Sequence, residues 1–253
     1  MTEPAGSENT ADRPDRRRAS PLVVLALVLP VLVMLLLLGN WQLQRLAWKQ
    51  GLLATIETRM QQAPVPLETA LATWQSDSDV DYLPVTFQGR FLHDREQHFL
   101  ATHEGQSGWY IYTPVQLGGG RTVIVNRGYV PYDLKDPEQR DWPLITDPVT
   151  IVGLARNPLD EKPGSLLPDN TPDARTWYWK DHAAMARSMD LQDETLLPFF
   201  VDVSTTNGVV SAGPVGAVTR VTLPNNHLQY AVTWFGLAMA LIVVAAAFLW
   251  RRK

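Results

Sequence analysis

His227, Tyr230 and Trp234 stand at positions i, i+3 and i+7, a spacing that puts three side chains on one stripe of a helix. Ala231 to Trp250, twenty residues without a charge, is long enough to cross a bilayer, so His227 is expected at the mouth of a span. A neutral imidazole at that depth can reach a flat apolar cofactor lying in lipid, and imidazole is a common axial ligand of haem iron. The competing reading is an interfacial histidine that wets or caps the helix end.

Other chemistry is poorly represented. His93, His98 and His103 invite a metal site, but a spacing of five suits neither one face of a helix nor one face of a strand. The chain has no cysteine, which excludes disulfides and thiolate metal sites. No nucleophile elbow or zinc-helix motif is present. Gly118, Gly119 and Gly120 precede a strand rather than a helix, so they do not form a phosphate-binding loop.

These residues need elements to hold them. A mean hydropathy of -0.10 hides two very uneven segments. Besides the C-terminal run, Leu22 to Leu38 is seventeen apolar residues, with Pro30 marking an expected kink. A cleaved leader is disfavoured by that length and by the lack of a small-x-small site at Gly39, Asn40 and Trp41. Arg16, Arg17 and Arg18 precede the first run, and Arg251, Arg252 and Lys253 follow the second; basic residues stay cytoplasmic, so the middle of the chain is expected outside. That middle has a net charge of about -7 against -4 for the whole chain, which argues against nucleic acid as a partner.

The sequence therefore reads as an α+β membrane protein in which two transmembrane helices flank a mainly antiparallel β extracytoplasmic domain. The divisions are a disordered cytoplasmic tail (1–20), a first span (21–39), the mainly β domain (40–229), a second span (230–250) and a cytoplasmic tail (251–253). Acidic residues in the N-terminal tail speak against a mitochondrial leader, leaving a multi-pass protein of a bacterial inner membrane with a periplasmic domain.

Within 41–61, Leu46, Leu53, Ile56 and Met60 share a helical stripe, so the first span should run on as an amphipathic helix, with Trp41, Trp48, Arg45 and Lys49 at the headgroups. Strands are expected at 85–91, 97–102, 109–117, 149–156 and 199–204, with the glycine triplet reversing the chain into RTVIVNRGYV. The stretch Asn157 to Arg175 reads as a loop, and a short helix is expected at His182 to Ser188. Ala231, Gly236, Ala238 and Ala240 would admit a second helix, of a partner or otherwise, close to the last span.

Four blocks, LGNWQLQRLAWK (38–49), GWYIYTPV (108–115), VIVNRGYVP (123–131) and NNHLQYAVTWFGLA (225–238), with WYWKD and PFFVD between them, resemble the surfeit locus protein one family. The resemblance spans nearly everything from Leu38 to Trp250. It implies a non-enzymatic assembly factor for haem-copper cytochrome c oxidase that binds haem a, receives it from haem a synthesis enzymes and assists its insertion into subunit one. His227 would be the iron ligand, with Tyr230, Trp234 and Arg127 as cofactor-binding residues, and Trp41, Arg45 and Gly128 as further positions of the family pattern. Arg127 could pair with a haem propionate or with an acidic loop of the oxidase, or be a buried structural arginine. The alternative is a scaffold that stabilises a subunit one intermediate without touching haem.

Overall fold

The computed structural model describes residues 21–204, 213–216 and 225–251. The N-terminal tail and the last two residues of the C-terminal tail lie outside the described residues. The chain divides into two compact units, one taking in Met1–Gly51 and Leu223–Lys253 and the other Leu52–Thr222.

Two helices make up the described part of the first unit. Helix α1 (Pro21–Met60) runs through Pro30 without interruption, and its residues up to Gly51 belong here; helix α4 is His227–Trp250. Among the described residues these are the two helices long and apolar enough to cross a bilayer, two candidate spans and not a larger multi-pass set. Only 6 % of the apolar window of each is buried, unlike the core helix of a soluble protein.

Their packing follows from sequence. Along α4, Ala231, Trp234, Ala238, Leu241 and Ala245 are buried or half-buried at heptad spacing. Along α1 the matching seam is Val24, Val28, Leu35, Leu38, Gly39, Gln42 and Leu46. Seams of this period fit the left-handed packing of membrane bundles. A Cβ on Gly39 would come within 2.7 Å of the Phe235 ring, so glycine is what lets that ring lie on α1. Of the four small residues expected to admit another helix, Ala231 and Ala238 are covered by α1 itself, whereas Gly236 and Ala240 are exposed.

The second unit is one sheet of strands β1 (Val65–Pro66), β2 (Pro84–Phe91), β3 (Gln97–His103), β4 (Gln106–Leu117), β5 (Thr122–Pro131), β6 (Val149–Arg156), β7 (Thr176–Trp177) and β8 (Leu196–Val203). Their order is β1-β2-β6-β8-β5-β4-β3-β7, and a further antiparallel pairing of β2 with β4 joins five of them, β2-β6-β8-β5-β4, into a closed ring. Most pairings are antiparallel, but β5 and β8 run parallel. Alternate residues of the ring, including Val85, Val115, Val123, Val125, Ile151, Phe199, Val201 and Val203, pack together with Leu67 and Ala70 from helix α2 (Leu67–Asp77). Tyr112, Ile124 and Phe200 form a second layer with Trp177 and Met185 beneath helix α3 (His182–Ser188).

Gly119 and Gly120, at φ 77° and 81°, make the β4–β5 reversal, backbone that L side chains rarely adopt. The last turn of α1 belongs to this unit as well, where Arg59 Nη1 donates to Asp79 Oδ2 (3.0 Å) and to the Asp81 carbonyl (2.9 Å).

Candidate functional site

His227 heads the α4 seam one turn before Ala231, at the one end of the helix pair where a polar side chain faces it from α1. Gln42 occupies a seam position in α1, four residues beyond Leu38 and four before Leu46, and its Oε1 lies 2.8 Å from His227 Nδ1. An amide oxygen accepts, so Nδ1 carries the proton and donates. That tautomer leaves Nε2 with its lone pair, and Nε2 makes no hydrogen bond among the described residues. A half-buried imidazole with one nitrogen fixed by a neighbour and the other bare is the arrangement of a metal-binding histidine and its orienting partner.

Around it, Trp234 lies two turns deeper on the same seam, with its indole Nε1 buried and, among the described residues, unpartnered. Tyr230 is 54 % exposed and flanks the seam rather than facing α1. Thus His227 and Trp234 share a surface, and Tyr230 sits at its edge. On α1, Trp41 is exposed beside Gln42, and the Arg45 guanidinium stacks 3.9 Å from the Trp48 ring. His227 could therefore act as the ligand of a porphyrin iron, with Gln42 as its orienter.

Arg127 and Gly128 belong to the other unit. Across β4 and β5, Tyr112 pairs with Asn126 and Tyr110 with Tyr129, so Arg127 and Gly128 together oppose one residue and form a β-bulge. The sequence Asn-Arg-Gly builds it. The Gly128 N–H donates to Asn126 Oδ1 (3.0 Å), and Gly128 takes φ 127° with the Val215 carbonyl packed where a Cβ would stand. The bulge turns Arg127 into the interior, where it is fully buried.

There it joins a cluster that sequence spacing did not suggest. Glu96, 2 % exposed, takes Arg140 Nη1 at 3.0 Å on Oε2, Arg140 Nη2 at 2.8 Å on Oε1 and His98 Nε2 at 3.0 Å on Oε1. Arg127 Nη1 stands 3.8 Å from Glu96 Oε2. Burial alone would raise the Glu96 carboxyl, but the hydrogen bonds from His98 and Arg140 outweigh it and hold the group below its usual value. His93 Nε2 meets the Ile145 carbonyl at 2.8 Å, so it is the protonated nitrogen, and Nδ1 accepts from Arg127 Nη1 at 3.3 Å. Burial first, and the neighbouring Arg127 charge with it, push the His93 pKa down. The three spaced histidines go to different partners, since His103 lies against the Tyr129 ring at 5.1 Å.

Gln42 was open to sequence reasoning, as a polar residue interrupting an apolar seam. The Glu96, Arg140 and Trp142 environment of Arg127 was not, because sheet pairing assembles it from distant positions.

A family model described as the SURF1 family matches residues 29–239, which takes in Gln42, the whole sheet and His227. The chain is 36% identical to Surfeit locus protein 1 of Homo sapiens over 233 residues, covering 85% of this chain and 72% of that protein. It is 35% identical to Surfeit locus protein 1 of Rattus norvegicus over 232 residues, 85% of this chain and 71% of that one. To the SURF1-like protein of Drosophila melanogaster it is 29% identical over 259 residues, 94% of this chain and 79% of that one.

Proposed function

The chain belongs to the SURF1 family, and from that premise we propose that it is a non-enzymatic assembly factor for haem-copper cytochrome c oxidase that binds haem a as cargo through His227. The observation that carries the ligand assignment is the 2.8 Å bond from His227 Nδ1 to Gln42 Oε1, which leaves Nε2 as the atom for iron. One histidine bond suits a carrier, because it holds an apolar, redox-active porphyrin yet lets it leave. Haem a synthesis enzymes would be the donors and oxidase subunit one the recipient. The bilayer is a bacterial inner membrane in this reading, with the sheet unit on the periplasmic side, as the basic residues flanking the two apolar runs favour.

The test is the visible spectrum of the full chain purified in detergent from cells with and without haem a synthesis. A Soret band that requires haem a synthesis and is lost in His227→Ala supports the assignment. An unchanged band in His227→Ala defeats it. No band at all, with subunit one abundance falling on deletion while the remaining oxidase keeps full haem occupancy, favours the scaffold.

A further inference from the structure

The bulge at Arg127 leaves an interior edge of that side chain unused. Nη1 faces His93 and Glu96, but among the described residues Nε and Nη2 are buried without a partner, and so is the indole Nε1 of Trp142. The two groups are neighbours. A methyl built on Gly213 would sit 3.7 Å from Trp142 Nε1 and 3.8 Å from Arg127 Nη2, so the cover over these donors is a residue with no side chain to fill the space. Arg127 Nη2 and Trp142 Nε1 thus face the space beside Gly213, with Arg127 Nε unmatched on the same guanidinium, and buried donors of this kind are rarely left unmatched.

Charge defines what would match them. Two buried guanidinium groups, Arg127 and Arg140, stand against the single carboxylate of Glu96, an excess of one positive charge. The Nε and Nη2 pair is the side-on fork of a guanidinium, whose spacing fits the two oxygens of a planar carboxylate. A monoanion balances the excess, whereas a phosphate would overshoot it.

We propose that Arg127, Trp142 and the gap at Gly213 form a buried receptor for one carboxylate group, either of a small free acid or the end group of a larger molecule. This site lies in the sheet unit and stands whether or not His227 binds iron.

The test uses the full chain in detergent with 15N-labelled tryptophan, titrated with propionate, 4-phenylbutyrate, chloride and phosphate at constant ionic strength. The Trp142 indole N–H resonance, assigned from Trp142→Phe, should move downfield saturably with propionate, and the thermal midpoint should rise in parallel. A response to 4-phenylbutyrate as well identifies an end-group receptor, and a response to propionate alone identifies a free small acid. Trp142→Phe keeps an aromatic ring, smaller than the indole, and loses the donor, so propionate should bind it about tenfold more weakly. The proposal is overturned if the indole signal stays fixed with both carboxylates, if chloride or phosphate gives the same response, or if Trp142→Phe binds propionate as tightly as the parent chain. The wild-type titration needs no variant to fold beyond the one used for assignment.

Discussion

Replacing Glu96 by Gln should strongly unsettle the sheet unit. The side chain keeps its volume, so no cavity opens and the effect is one of charge. In the folded chain Glu96 accepts one bond from Arg140 and one from His98, has the second Arg140 nitrogen at 2.8 Å as an ion pair, and stands 3.8 Å from Arg127. Glutamine retains one acceptor and turns two donors toward groups that already donate. Both guanidiniums are then buried without a counter-charge, and breaking a buried pair by removing one partner costs about 3–5 kcal/mol. For a unit of this size each kcal/mol lowers Tm by roughly 2–4 °C, so the expected drop is about 6–20 °C. Thermal unfolding in detergent, followed by near-ultraviolet circular dichroism, reads it. Adding Arg127→Met should recover part of the loss, because one stranded charge is removed. A single-variant cost below about 1 kcal/mol, or no recovery in the double variant, would refute the reasoning and mean that water reaches the cluster.

Acid titration should show the same carboxylate. Glu96 is held below its usual value of 4.5, so the unfolded chain takes up the proton more readily; its contribution is complete above about pH 4.5 and fades as pH falls below that toward the folded value, a limb that Glu96→Gln should lack. Burial pushes His182 down to about 4 from 6.5, with its ring 4.8 Å from Phe200. The unfolded chain therefore binds the extra proton between those values, and stability should decline from pH 6.5 to 4 by at most about 3 kcal/mol, a slope that His182→Phe should flatten. Gly39→Leu should drive the Phe235 ring off α1. A maleimide cross-link between cysteines placed at Val28 and Val244, which line one apolar crevice, should then form in lower yield, and an undiminished yield would show that the seam does not depend on Gly39. Gln42→Leu should abolish the preference for the Nδ1–H tautomer of His227, read from the 15N shifts of the imidazole.

Local patterns carried most of the fold. Runs of β-branched and aromatic residues located β2, β3, β5 and β6 to within a residue, and β4 and β8 with their starts three residues late, while the stripe Leu46, Leu53, Ile56 and Met60 foretold the continuation of α1, where all four are half-buried. Helix α2 was missed because Pro66, which serves as its N-cap, reads as a breaker in an otherwise loop-like stretch. The two-residue strands β1 and β7 carry no periodicity to detect. Nor does period-two alternation reveal whether two strands run parallel, so the β5–β8 pairing and the closed ring could not be read from sequence. At the helix pair, His227 and Trp234 were legible as one stripe, and Tyr230 was placed on it by nominal spacing although the α1 partner covers a narrower strip. Arg127 was legible as a residue before a glycine, but the bulge that buries it depends on the opposite strand.

The position of β8 in the ring has a consequence for biogenesis. It is the last strand among the described residues, yet it lies between β5 and β6, bonded to both. Until residue 203 has emerged during synthesis, those two strands present bare amide edges about 40 to 80 residues older than the segment that will seal them, and unsealed edges recruit other chains. Closure of the sheet must therefore wait for almost the entire unit, so a chain truncated just before Leu196 should precipitate rather than form a smaller barrel.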